Sequence, residues 1–205
     1  MSRGLLLVIS GPSGAGKGTV CDAYKKDCDN KVWNSVSMTT RSPREGEIHG
    51  ESYFFVSREE FIEKIEQDEF LEYAEVYGNY YGTPRKEVEA KLREGRDVIL
   101  EIDIQGALNV QENTSEGIFI FILPPSMNEL KKRIIGRASE TPESLLLRFK
   151  AAYNEINSVS KHNYAITNHT VKQADEDLKA IIRAEKCRVT RVSNEVLSLK
   201  EEELL

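Results

Sequence analysis

The stretch Leu5-Leu6-Leu7-Val8-Ile9-Ser10-Gly11-Pro12-Ser13-Gly14-Ala15-Gly16-Lys17-Gly18-Thr19 decides the fold. Its first five residues are apolar without polar alternation, the pattern of a strand buried on both faces of a parallel sheet. Gly11 to Lys17 fits G-x-x-x-x-G-K, and from Thr19 the spacing of Val20, Ala23 and Tyr24 predicts an amphipathic helix. Strand, glycine loop and helix in that order make a phosphate cradle. Residues without a Cβ let successive backbone N–H groups curl round phosphate oxygens, and the helix N-terminus adds its positive end. Gly11, Pro12, Ser13, Gly14, Ala15, Gly16, Lys17, Gly18 and Thr19 are therefore the candidate nucleotide-binding residues, with the Lys17 ammonium directed at the outer phosphates. A plain glycine turn would explain Gly11 or Gly14 but gives no reason for Lys17 beside Gly16.

Gly18 stands where Ser or Thr would offer a hydroxyl to Mg²⁺, and Thr19 comes one residue late. The ion must then be held by phosphates, water and another side chain. A second apolar run, Val98 to Ile102, ends at Asp103, the natural carboxylate for that task, acting through water; a solvated loop aspartate is the alternative. Before this run the sequence predicts a helix with Thr83 as cap, Pro84 as first helical residue and Gly95 as terminator. A third run, Ile118 to Leu123, is followed by Pro124-Pro125 and by a capping box from Ser126 to Glu129. Strands alternating with helices imply an α/β fold with a doubly wound parallel sheet.

Two stretches interrupt the alternation. Residues 35–82 carry Tyr53-Phe54-Phe55-Val56, a capped helix start from Ser57 to Glu60, and Tyr80-Tyr81, which together predict a small mixed α/β insertion. Residues 136–148 combine Gly136, Arg137, Ser139, Thr141-Pro142-Glu143 and Arg148, the composition of a mobile segment between helices. The expected organisation is a core of 1–34, 84–135 and 149–205, an acceptor-binding insertion of 35–83 and a lid of 136–148. The charged tail from Lys200 is expected to fray.

A chain of 205 residues supports one main domain. Its net charge of -6 argues against broad nucleic-acid or anionic-membrane binding, so an anionic ligand must be met by a local group of basic side chains. Arg41 and Arg44, either side of Pro43, are such a group, since each guanidinium can grip phosphate oxygens with two bonds; pairing with Glu45 or Glu47 is the equally weighted alternative. The three cysteines form no C-x-x-C pair, which speaks against a zinc site or disulfide framework. The apolar run at the N-terminus is too short for a signal peptide, and a cytoplasmic location is expected.

Ser37 to Gly46, Tyr53, Glu72, Gly78-Asn79-Tyr80-Tyr81-Gly82-Thr83, Glu101-Ile102-Asp103-Ile104-Gln105-Gly106 and Gly136-Arg137 occur in an order that resembles the guanylate kinase family, and with the phosphate loop the likeness runs from residue 5 to about residue 185. The resemblance implies a P-loop kinase fold with a mobile lid, transfer of the γ-phosphoryl group of ATP to GMP to give ADP and GDP, and Mg²⁺ accompanying ATP. It assigns Arg41, Arg44, Tyr53 and Tyr81 to the GMP phosphate, and Ser37, Glu72, Thr83 and Glu101 to guanine. Arg137 and Arg148 fall to the ATP phosphates and Asn168 to adenine, although His169 follows where the family commonly has an acidic residue. Lys17, Arg41, Arg137, Arg148 and Mg²⁺ become the charge stabilisers of the reaction.

The chemistry agrees with that assignment. A carboxylate such as Glu72 can accept from guanine N1–H and the 2-amino group, whereas adenine presents a lone pair at N1. Phosphoryl transfer needs no general base here, because the acceptor phosphate is already anionic, so His49, His162 and His169 are read as structural or surface residues. ATP and GMP are the expected partners, with no nucleic acid, membrane or obligatory protein partner. A non-catalytic relative that binds phosphopeptides in the acceptor pocket is the first competing reading, opposed by the intact Lys17 loop. A kinase acting on AMP or another phosphorylated acceptor is the second, and Glu72 and Glu101 oppose AMP.

Overall fold

A computed structural model describes residues 3–28, 31–76, 78–135 and 142–192, the side chains of 142–148 excepted. In chain order the elements are β1 (Leu6–Ser10), α1 (Lys17–Lys26), β2 (Val32–Asn34), β3 (Met38–Thr39), β4 (Phe54–Phe55), α2 (Arg58–Glu66), β5 (Phe70–Val76), β6 (Asn79–Pro84) and α3 (Arg85–Arg93). There follow β7 (Asp97–Glu101), α4 (Ile104–Asn113), β8 (Gly117–Leu123), α5 (Met127–Ile135), α6 (Pro142–Ile156), a 3-10 turn (Asn157–Lys161), β9 (Tyr164–Thr167) and α7 (Val171–Lys186).

The main sheet has the order β2-β7-β1-β8-β9 with every neighbour parallel. Successive side chains of a strand point to opposite faces, and β1 shows the consequence. Leu5, Leu7 and Ile9 pack with Val20 and Tyr24 of α1 and Leu178 and Ile182 of α7. Leu6 and Val8 pack on the other face with Val88 and Leu92 of α3 and Ala107 and Val110 of α4. Helices therefore cover both faces, as the unbroken apolar runs predict. Among the described residues no helix is long and apolar enough to cross a membrane.

A second sheet, β4-β3-β6-β5, is mixed: β3 and β4 run parallel, while β6 is antiparallel to β3 and β5. It is closed on one side by α2, whose Phe61 is fully buried and stacks on Phe70 at 4.4 Å and on Tyr80 at 5.3 Å. Both local capping signals hold, with Ser57 Oγ accepting from Glu60 N–H and Ser126 Oγ from Glu129 N–H, each at 3.1 Å.

Two expectations are corrected. Helix α1 begins at Lys17 and not at Thr19, because the left-handed Gly16 (φ 93°) turns the loop directly into the first helical turn. Thr83 does not cap α3. It lies in β6 opposite Glu72, Pro84 flanks the helix with an extended ψ of 120°, and the helix starts at Arg85 without a side-chain cap. The Thr83 hydroxyl instead donates to the Glu72 carboxylate, a charge-assisted bond stronger than a cap to a backbone amide. The segment 136–148 and the tail from Lys200 lie outside the described residues, except that 142–148 form the backbone start of α6.

Candidate active site

In a doubly wound sheet the loops at the carboxyl ends of the strands gather in one crevice, and here those ends are Ser10, Asn34, Glu101, Leu123 and Thr167. The loop after β1 is shaped by close approach. A Cβ on Gly11 (φ 141°) would fall 2.4 Å from the Ile122 carbonyl oxygen, and one on Gly16 would fall 2.5 Å from Asn168 Nδ2. Only glycine fits either place without displacing a neighbour. Lys17 Nζ donates to the Gly11 carbonyl at 2.7 Å, so the side chain folds back over the loop that holds its own backbone. Burial lowers the proton affinity of the Lys17 ammonium, and the carboxylates of Glu101, Glu155 and Asp103 act in the opposite sense.

Lys17 shares a cavity of about 260 Å³ with Ser37, Tyr53, Glu72, Tyr81, Glu101 and Asp103. Residues from the phosphate loop, the small sheet and the end of β7 thus meet in one space. Glu72 is 5% exposed, and burial pushes its carboxyl up to about 7, the Thr83 hydroxyl opposing the rise. Thr83 itself is fully buried, with its hydroxyl held against the Glu72 carboxylate. Tyr53 and Tyr81 meet edge to face at 6.1 Å between ring centres.

Arg41 lies against this aromatic pair, its guanidinium carbon 5.4 Å from the Tyr53 ring centre. Its Nη1 and Nη2 donate to the two oxygens of Glu47 at 3.0 and 2.8 Å, and Arg44 N–H donates to the same carboxylate at 2.7 Å. The pairing with Glu47 that the sequence left open is therefore present, and it lowers the Glu47 pKa while fixing the direction of Arg41. The Arg44 side chain is exposed.

Asp103 caps α4, its Oδ1 accepting from Gly106 N–H at 2.7 Å, and it still borders the cavity. A Cβ on Gly18 would lie 3.2 Å from Glu101 Oε1, so the missing hydroxyl leaves that space to a carboxylate. No group of three or more His, Cys, Asp or Glu able to hold a metal forms among the described residues. This donor set suits an ion that arrives on nucleotide phosphates and keeps most of its water, not one caged by protein.

A second cavity, about 440 Å³, lies on the other side of the loop and is lined by Gly14, Gly16, Thr19, Arg133, Asn168 and His169 among others. Asn168 is 3% exposed, and its Nδ2 donates to the Ala15 carbonyl at 2.9 Å, so its amide braces the phosphate loop. Arg133 was missed in the sequence. Its guanidinium reaches Ala15 O and Asn168 O, both at 3.4 Å, while Nε bonds Glu129 at 3.1 Å. The available signal was its place one turn beyond Glu129 on the helix that follows β8, which also describes an ordinary surface ion pair. Arg137 and the Arg148 side chain lie outside the described residues.

A larger cavity, about 670 Å³, opens at the opposite end of the sheet. Of its basic groups, Arg3 pairs with Glu89 and Glu116, Lys186 with Asp97, and Arg188 with Glu185. Size alone does not make it a site for an anion.

Comparison with known proteins finds relatives along most of the chain. The guanylate kinase family profile matches residues 3–185. A guanylate kinase of Clostridium tetani is 63% identical over 201 residues, spanning 98% of this chain and 96% of its own. One from Clostridium acetobutylicum is 63% identical over 199 residues, 97% and 94% of the two chains. The crystal structure of guanylate kinase from Anaplasma phagocytophilum superposes with a TM-score of 0.77 at 36% identity, covering 93% of this chain and 90% of that one. With a profile match over most of its length and full-length relatives at this identity, the chain belongs to the guanylate kinase family.

Proposed function

We propose that the chain transfers the γ-phosphoryl group of ATP to GMP, with the guanine base in the 260 Å³ cavity and the ATP phosphates on the loop from Gly11 to Thr19. The observation that carries this reading is the shared cavity: Lys17 of the donor loop and Glu72, Tyr53 and Tyr81 of the small sheet border one space. Two phosphates brought there are held near each other, which is most of what phosphoryl transfer asks of a protein.

In this assignment Glu72, ionised and steadied by Thr83, accepts from guanine N1–H and the 2-amino group, while Ser37 and Glu101 border the same base. Tyr53, Tyr81, Arg41 and Arg44 take the GMP phosphate, with Glu47 holding Arg41 against Tyr53 so that little ordering remains when the ligand enters. Lys17 and the loop amides stabilise charge on the moving group. Mg²⁺ bound with ATP would neutralise phosphate charge, and Asp103, on the cavity wall, would hold its water. Asn168 and Arg133 border the space assigned to the rest of ATP. The roles given to Arg137 and Arg148 rest on the family resemblance alone. The proposed setting is the cytoplasm, where both nucleotides are available. ADP release measured with ATP and a panel of nucleoside monophosphates tests the reading: GMP should be used far better than AMP, and equal use would overturn it.

A further inference from the structure

The strand β1 ends at Ser10, and the next residue, Gly11, provides the carbonyl that holds Lys17 Nζ. Ser10 is fully buried, and its Oγ lies 2.6 Å from Nε2 of His162. His162 stands between the 3-10 turn after α6 and the strand β9, so two distant parts of the chain meet at this contact. Its other ring nitrogen, Nδ1, lies 3.0 Å from the Ser158 carbonyl oxygen. A carbonyl can only accept, so Nδ1 carries the hydrogen. In the neutral ring the lone pair is then on Nε2, and the Ser10 hydroxyl donates to it.

Among the described residues, the ring is faced by the Ser10 hydroxyl from β1, the Ser158 carbonyl from the turn, and from β8 the Phe121 ring, edge-on at 4.9 Å between centres. Burial lowers the proton affinity of His162, the Ser158 carbonyl works against that, and neither influence is a charged side chain. The same stretch of chain touches the loop again at Glu155 of α6, whose carboxylate takes a hydrogen bond from Ser13 N–H. The phosphate loop is thus held from α6 and its following turn on both sides of Pro12.

We propose that His162 is a positioning residue for phosphoryl transfer, accepting from Ser10 to fix the Ser10–Gly11 junction and with it the carbonyl that aims Lys17. This deepens the reading given above and rests on it for the identity of the donor nucleotide. Protonation of the ring places a hydrogen on Nε2 and reverses the bond. Ser10 must then accept, its own hydrogen must find another partner in a fully buried place, and the junction shifts.

The test compares wild type, His162→Gln and His162→Phe with GMP saturating and ATP varied between about pH 5 and 8. Wild-type kcat/KM for ATP falls on acidification through a midpoint below about 6.5, the ordinary histidine value. His162→Gln keeps an acceptor without titrating, so it loses that midpoint and regains most of the turnover lost in His162→Phe. His162→Phe lowers kcat/KM for ATP at least about tenfold with KM for GMP unchanged. Turnover of wild type with ATP and GMP tests the functional reading separately from these differences. An independent arm needs no turnover: imidazole ¹⁵N spectra of wild type, assigned by loss in His162→Gln, show the Nδ1–H form, and the signal moves when ADP binds. Identical pH profiles in wild type and His162→Gln, or an Nε2–H ring indifferent to ADP, overturn the proposal even if His162→Phe does not fold.

Discussion

Thr83 Oγ donates to Glu72 Oε1 across 2.6 Å, tying β6 to β5 where Glu72 borders the 260 Å³ cavity. The pairing of the two strands slips between Phe70 and Glu72, an irregularity of the sort that re-aims a side chain. A carboxylate with 5% exposure is costly to ionise, and this hydroxyl makes the ionised form easier to keep. In the proposed assignment, a guanine edge satisfies this carboxylate.

Glu72→Gln separates those two effects. Selection for GMP over AMP falls at least about 100-fold, because the amide cannot accept from both guanine donors. The carboxyl titrates near its ordinary 4.5 when unfolded and at about 7 when folded, so the folded chain holds the proton to higher pH. Its contribution to stability therefore declines as pH rises from 4.5 to 7. The glutamine variant is consequently more stable than wild type at about pH 8, by at most roughly 3 kcal/mol, and the gap closes in acid. Thermal melts at two pH values check the sign, and a variant that melts lower at the higher pH would refute it.

Lys17→Ala lowers kcat at least about 100-fold, roughly 3 kcal/mol of transition-state stabilisation. The melting temperature changes little, since burial already disfavours this ammonium. Turnover close to wild type would remove Lys17 from the reaction.

Gly16→Ala places a methyl 2.5 Å from Asn168 Nδ2 on a backbone with φ of 93°. Strain of about 2 kcal/mol is expected, a fall of roughly 4–8 °C in melting temperature, together with a raised KM for ATP. An unchanged melt would show that the loop can relax around the methyl.

Glu47→Ala frees Arg41 from its paired bonds at 2.8 and 3.0 Å. KM for GMP rises roughly threefold to tenfold with KM for ATP unaltered, because only the acceptor phosphate site loses its fixed geometry. A lower KM for GMP would instead mark Glu47 as a competitor for that site.

The sequence disclosed what is decided locally. Apolar runs at β1, β7 and β8 report burial on both faces, and the caps at Ser57 and Ser126 are closed by residues three positions away. Thr83 was misread because Thr-Pro is a sound helix signal until a buried carboxylate eleven positions away claims the hydroxyl. The strand β5 was not anticipated, since Phe70–Val76 mixes buried and exposed residues and owes its form to pairing with β6. Arg133 and His162 needed the fold itself. Arg133 meets Ala15 across 118 positions and His162 meets Ser10 across 152, distances no spacing rule can bridge.

A structure of the chain with GMP and a non-hydrolysable ATP analogue bound together tests the central claim most directly. The account predicts guanine within hydrogen-bonding reach of Glu72, the GMP phosphate beside Tyr53, Tyr81 and Arg41, and the analogue's terminal phosphate at Lys17, facing it. Guanine bound away from Glu72, or the two phosphates on separate surfaces, would contradict it.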